Sequence, residues 1–128
     1  MDAADYLATV KALIIANPRI RTWTILREEI QGDVGLYRFR IIWEDDSLLE
    51  MFERFEINDG VCRIAKYSFH WQDAQGLLLK RWDNAAHHPE VDTHPHHLHE
   101  NSDDSVLPHE PVTAGTILER VTDLLVST

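Results

Sequence analysis

The stretch Lys66-Tyr67-Ser68-Phe69-His70-Trp71-Gln72 sorts its side chains by parity. Successive side chains of an extended chain point to opposite faces. Tyr67, Phe69 and Trp71 therefore fall on one face, and Lys66, Ser68, His70 and Gln72 on the other. The first set suits a buried sheet face. The second lays a polar row across mid-sheet, which is either a solvated outer face, as antiparallel sheets often have, or a site.

The same period-2 signal continues upstream. Tyr37, Phe39, Ile41 and Trp43 alternate with Arg38, Arg40 and Ile42, while Leu49, Met51, Phe55 and Ile57 share a face on which Glu53 is the exception. Residues 21–30 are also β-rich, and Leu77 to Asp83 forms a fifth segment. Turns fall at Gln31–Gly35, Glu44–Ser47, Asn58-Asp59-Gly60 and Asp73–Gly76; the third is a strong hairpin signal. Links this short require antiparallel neighbours, since parallel pairing needs long crossovers. At the chain ends the period changes to that of a helix. Ala3, Leu7, Val10 and Ile14 line one stripe of residues 3–16, with Asp2 as cap and Asn17-Pro18 as stop; Ile117, Leu118, Val121, Leu124 and Leu125 line another over Thr113–Ser127, with Thr113 as cap. The expected architecture is α+β, one domain over residues 1–128: a five-stranded antiparallel meander with both terminal helices on one face. Residues 84–111 hold four of the five prolines and no glycine, and are expected to form a long, irregular, histidine-rich loop before the last helix.

Composition narrows the function classes. Twelve Lys and Arg face 22 Asp and Glu, a formal net charge of -10 over 128 residues. That balance opposes non-specific attraction to nucleic acid, which rests on phosphate neutralisation, although a local basic patch remains open. The longest apolar run is five residues, Ala12 to Ala16, so no membrane span is expected. The acidic N-terminus lacks the basic region of a secretory signal. Cys62 is the only cysteine, which excludes an intrachain disulfide and fits a reducing cytoplasm.

Seven of the eight histidines lie between His87 and His109. Neutral imidazole is the commonest metal ligand and the side chain that titrates nearest neutral pH, so two chemistries are open. In one, histidines move protons without a cofactor: His70 pairs with His87 or His88 as acid and base, and Asp83 orients an imidazole by accepting from one ring nitrogen. Lys66, Arg81 and Asn84 would then hold an anionic substrate. In the other, His96, His97 and His99 ligate zinc or another divalent metal, while the adjacent side chains of His87 and His88 diverge. Plain structural roles compete with both: Asp83 and Asn84 suit a strand-end turn, Arg81 can pair with Asp83, and Tyr67 and Trp82 suit the core as well as base stacking. The chain leaves its fifth strand at Asn84, near the Lys66 end of the neighbouring strand. To reach His70 it must fold back by about 13 Å, at about 3.3 Å per residue. At least one of His87, His88, His96, His97 and His99 should then meet His70, Asp83 or another histidine.

Tyr67-Ser68-Phe69-His70-Trp71-Gln72, Arg81-Trp82-Asp83-Asn84-Ala85, His87-His88-Pro89 and His96-His97-Leu98-His99 together resemble the motif series of the TumE-like family. These are small bacterial and archaeal toxins of toxin–antitoxin pairs, formerly grouped as a domain of unknown function. The resemblance spans nearly the whole chain and is most specific over residues 67–99. It implies a toxin role and a helix-turn-helix antitoxin as partner. The helix-then-meander order also resembles the broad fold of barnase-like and RelE-like toxins, which adds RNA as a target and a metal-independent ribonuclease as the expected activity. The competing expectation is a non-enzymatic binding module whose histidine-rich loop is structural or holds a metal.

Overall fold

The computed structural model describes residues 1–125. Helix α1 (Ala3–Ala16) leads into strands β1 (Ile20–Gln31), β2 (Val34–Trp43), β3 (Leu48–Asn58), β4 (Val61–Gln72) and β5 (Leu78–Asp83). Strands β6 (His97–Glu100) and β7 (Leu107–Pro108) follow, and helix α2 (Ala114–Leu124) comes last. The seven strands form one antiparallel sheet in sequential order.

The expected helices and first five strands are present. Asp2 caps α1 and Thr113 caps α2, each in a reciprocal capping box that satisfies otherwise unpaired amide groups. Helix α2 ends at Leu124, where Leu125 turns extended; the rest of its expected span, residues 126–127, lies outside the described residues. No helix among the described residues is long and apolar enough to cross a membrane.

Two expectations are corrected. The sheet has seven strands, not five, and the segment expected to be an irregular loop supplies the other two. The physical reason is Leu98. It packs into the core cluster beside Trp82, its cross-strand partner on β5, and that one inward side chain pulls the backbone of residues 97–100 into the β5 ladder. The irregular parts are shorter: residues 84–96, 101–106 and 109–113.

Both helices lie on one face. Leu7, Val10 and Ile14 of α1 and Ile117, Leu118 and Val121 of α2 join Tyr37, Phe39, Ile41, Trp43, Leu49, Met51, Phe69 and Trp82 in a single buried cluster. Ala65, a bulge in β4 opposite the Arg54–Phe55 step, switches the inward parity of that strand. Cys62 and Ile64 pack inward before it, and Tyr67, Phe69 and Trp71 after it. The polar row therefore faces away from the helices, as its alternation predicts.

Glu53, the exception in the β3 pattern, is completely buried on the helix side. The hydroxyls of Tyr6 and Tyr37 donate to its Oε1 at 2.7 and 2.6 Å. Burial pushes the Glu53 carboxyl above its ordinary value of 4.5, and the two phenol hydrogen bonds oppose the shift only in part. Since the folded-state pKa is the higher one, this carboxyl favours folding most below about pH 4.5. Its contribution is lost as pH rises through the folded-state value. Urea titrations across that range should show a fall in wild-type stability that is absent from Glu53→Gln, with a difference in slope of at most about 1.4 kcal/mol per pH unit. On β2, the Phe55 ring lies over Gly35 so closely that an added Cβ would sit 2.5 Å from its Cζ. Gly35→Ala should therefore lower stability by about 1–3 kcal/mol through overpacking, measurable in the same titrations.

Candidate functional site

The outer face is read from the strand register. One row runs Arg38–Phe52–Ser68–Asp83–His97 across β2 to β6, and the next runs Arg40–Glu50–His70–Arg81–His99. Lys66 and Arg54 pair beside them. The sheet thus brings residues far apart in sequence into two parallel rows, with neighbours within a row about 4.8 Å apart strand to strand and the rows about 6.6 Å apart along the strands.

At the β2–β5 end the rows line a cleft of about 500 Å³ bounded by Arg38, Glu50, Phe52, Lys66, Ser68, His70, Arg81 and Asp83. Arg38 pairs with Glu50 at 3.2 Å, and its guanidinium lies 4.8 Å over the Phe52 ring. Lys66 makes no ion pair among the described residues. Arg81 donates from Nε to His70 Nδ1 at 3.2 Å and pairs through Nη1 with Asp103. Arginine can only donate, so His70 Nδ1 carries no proton. Its Nε2–H is then the donor to Gln72 Oε1 at 3.0 Å. Both ring nitrogens of His70 are thus engaged, one of them in orienting Arg81. No contact joins His70 to His87 or His88 among the described residues.

At the β5–β6 end the face is covered. The chain folds back after Asn84 and lays His87 and His88 over His97 and His99. Ring centroids of His88 lie 4.9 Å from His97 and 5.6 Å from His99, and His97 and His99 are 4.9 Å apart. Asp83 is the acid of this cluster: its Oδ1 is 2.9 Å from His97 Nε2, and its Oδ2 is 3.8 Å from His99 Nε2. The amide of Ala85 donates to the same Asp83 Oδ1 at 3.0 Å. Burial pushes the His99 imidazole below the ordinary histidine value, and the Asp83 charge offsets part of that. The expected approach of a loop histidine to Asp83 is therefore found, at His97.

His96 is elsewhere. Adjacent strand residues diverge, so His97 faces outward and His96 lies against the helix side, its Nδ1 2.8 Å from the Tyr67 hydroxyl and its ring stacked on Tyr67. Burial first, then the Asp83 charge, pushes the Tyr67 hydroxyl up to about 12. The structure thus groups His87, His88, His97, His99 and Asp83, and separates His96 from the other two residues expected as ligands. Tyr67 and Trp82 are buried in the core and offer no face to a base. Arg38 and Glu50, which complete the cleft, were missed by sequence reasoning; the signal was present in the Arg38/Arg40 alternation, which lacked only the register to place it beside Lys66 and His70.

Asn84 braces the exit from β5. Its Oδ1 accepts from Tyr67 N at 2.9 Å, and its Nδ2 donates to the carbonyl of Ala65, the bulge residue, at 3.2 Å. Both bonds start the covering segment on its course.

These features define a small α+β protein with a basic cleft and a histidine–aspartate cluster on the uncovered face of its sheet. A family model described as toxin TumE matches residues 10–126, and the chain belongs to that TumE toxin family. No curated protein and no solved structure matches the chain.

Asn84→Ala should lower stability by about 1–3 kcal/mol, the cost of leaving a partly buried backbone group without its partner. Denaturant titration measures the loss, and a value within 0.5 of zero, on the order of surface substitutions, would show that Asn84 does not brace the bulge.

Proposed function

We propose that this chain is the toxin of a toxin–antitoxin pair and that its target is RNA, bound by its phosphate backbone in the outer-face cleft. Family membership supports the toxin role and implies an antitoxin partner; a helix-turn-helix protein is the partner expected. The observation that carries the RNA reading is the placement of charge. In a chain of net charge -10, Arg38, Arg40, Arg54, Lys66 and Arg81 all project from one sheet face, and Arg38, Lys66 and Arg81 line one cleft. Acidic partners on the same rows are fewer, Glu50 and Asp83 in the cleft itself. Lys66 and Arg81 are the phosphate-binding groups, Arg81 held in place by His70. Phosphate contacts of this kind need no base readout.

Ribonuclease action belongs to the Asp83 side of the cleft, where a carboxylate and imidazoles meet. His70, with Nδ1 taken by Arg81 and Nε2 by Gln72, acts as a positioning residue for the arginine. A cytoplasmic location agrees with an RNA target. The alternative, a binding module that arrests growth without cutting, uses the same cleft.

Induction of the chain alone should slow bacterial growth, and a Lys66→Ala, Arg81→Ala double variant, folded by circular dichroism, should relieve it. With purified protein and a single-stranded RNA, Lys66→Ala alone should reduce the slope of log affinity against log salt by about 0.7, the share of one phosphate contact. Asp83→Asn should abolish cleavage while retaining binding. RNA affinity and salt slope unchanged in the double variant would overturn the cleft assignment; growth arrest with intact RNA would select the binding module over the nuclease.

A further inference from the structure

The histidine–aspartate cluster at the covered end of the face has a property the cleft does not explain: its ring nitrogens are prepared for a ligand. His97 Nδ1 lies 2.9 Å from the carbonyl of Pro95, and His99 Nδ1 lies 3.0 Å from the carbonyl of Asp103. His88 Nδ1 lies 2.9 Å from Glu90 Oε1. Carbonyl and carboxylate oxygens only accept, so in each ring the proton sits on Nδ1. The Nε2 lone pairs of neutral rings are then bare. Such anchoring by an oxygen on the far side of the ring is how proteins fix the tautomer of metal-ligating histidines.

His97 is the sharpest case. Its side chain is 0 % exposed, and its Nε2 has no hydrogen-bond partner among the described residues although Asp83 Oδ1 is 2.9 Å away. The oxygen lies off the direction an Nε2–H would take. A bare, buried nitrogen 2.9 Å from a buried carboxylate oxygen is repulsive, and leaving such groups unsatisfied is costly. A cation bound to both removes the conflict. The spacing suits one: zinc bonds of about 2.0–2.2 Å place tetrahedral donor atoms roughly 3.3 Å apart. The 2.9 and 3.8 Å separations of Asp83 oxygens from His97 and His99 bracket that value. Ligand atoms of Asp83, His97 and His99 all lie within 4.8 Å of one another, as do those of His87, His88 and His97.

We infer that Asp83, His97 and His99 form a buried three-donor site for a divalent transition metal of the zinc class, whose fourth position is filled when His88 of the covering segment, grouped with His97 but not with Asp83 or His99, closes onto the bound ion. Imidazole and carboxylate donors without thiolate select zinc and its first-row neighbours over magnesium or calcium, which prefer all-oxygen sets. His88 rather than His87 fills the fourth position, because its Nδ1 is the one anchored by Glu90 and its ring lies nearer His97 and His99. His96, turned onto Tyr67, takes no part. The metal would tie β5, β6 and the segment between them, and it would set one wall of the cleft, since Asp83 lines both. The inference stands without the RNA reading: a zinc site closed by four protein donors is structural, so a bound metal would make Asp83 and these imidazoles a brace for the cleft and favour the binding module over the nuclease.

The full chain, purified without a histidine tag, is assayed for metal by mass spectrometry, then stripped with chelator and titrated with zinc and with cobalt(II). One zinc per chain is expected, with a cobalt spectrum of the intense tetrahedral type and a thermal midpoint that rises on zinc addition. His88→Ala should weaken zinc at least tenfold while remaining folded. His97→Gln and His99→Gln should abolish the midpoint rise, and His96→Ala and His94→Ala should bind as wild type. Zinc affinity equal in wild type and in both glutamine variants would overturn the site, as would binding lost on replacing His94 or His96 instead. Folding failure of a glutamine variant is resolved by His88→Ala, whose unchanged zinc affinity would remove His88 from the ligand set and overturn the four-donor site.

Discussion

The burial of Trp82 is the constraint on which the outer face depends. Its side chain lies in the core opposite Phe69 of β4 and Leu98 of β6. Losing a buried tryptophan costs about 3–5 kcal/mol, so the register cannot slip by one residue without exposing it. With Trp82 held inward, Arg81 and Asp83 must point outward. Their partners His70, Ser68, His97 and His99 must do so too. The chemistry-bearing residues are placed by a hydrophobic anchor that takes no part in the chemistry.

That placement divides the outer face in two. Over β2 to β5 it is an open cleft whose cations are held by neighbours: Arg38 by Glu50, and Arg81 by His70 and Asp103. Over β5 and β6 the returning chain covers it, and Asp83, His97 and His99 become buried. Buried polar groups are normally satisfied, and here the imidazole Nδ1 atoms are while His97 Nε2 is not. Asp83 sits at the boundary.

The sequence made the sheet legible where alternation was clean. Tyr37–Trp43 and Tyr67–Trp71 fixed which side is core, and Asn58-Asp59-Gly60 marked its hairpin. Two helices were readable from their stripes and caps. Strands β6 and β7 were not legible, because His97-Leu98-His99-Glu100 offers one apolar residue in four and β7 is two residues long. Only the contact of Leu98 with the core, a long-range effect, makes that segment a strand. The site was half legible for the same reason. Asp83, His87, His88, His97 and His99 stood out by type, but which of them meet depends on the β5–β6 register. His96 was grouped with His97 by adjacency, and strand alternation sends the two to opposite faces. The role of Asn84 as a brace rests on the bulge at Ala65, for which no local signal exists.

The protonation of three imidazoles is the common premise of the cluster, and it is directly observable. Long-range proton–nitrogen correlation spectra of the folded, full-length protein at neutral pH distinguish an Nδ1–H from an Nε2–H ring, with His→Gln variants assigning each signal. The structure predicts Nδ1–H rings at His88, His97 and His99, with Nε2 bare or metal-bound, and the Nε2–H form at His70. Nε2–H rings, or doubly protonated ones, at His97 and His99 would contradict the account, because the bare Nε2 lone pairs beside Asp83 would not exist.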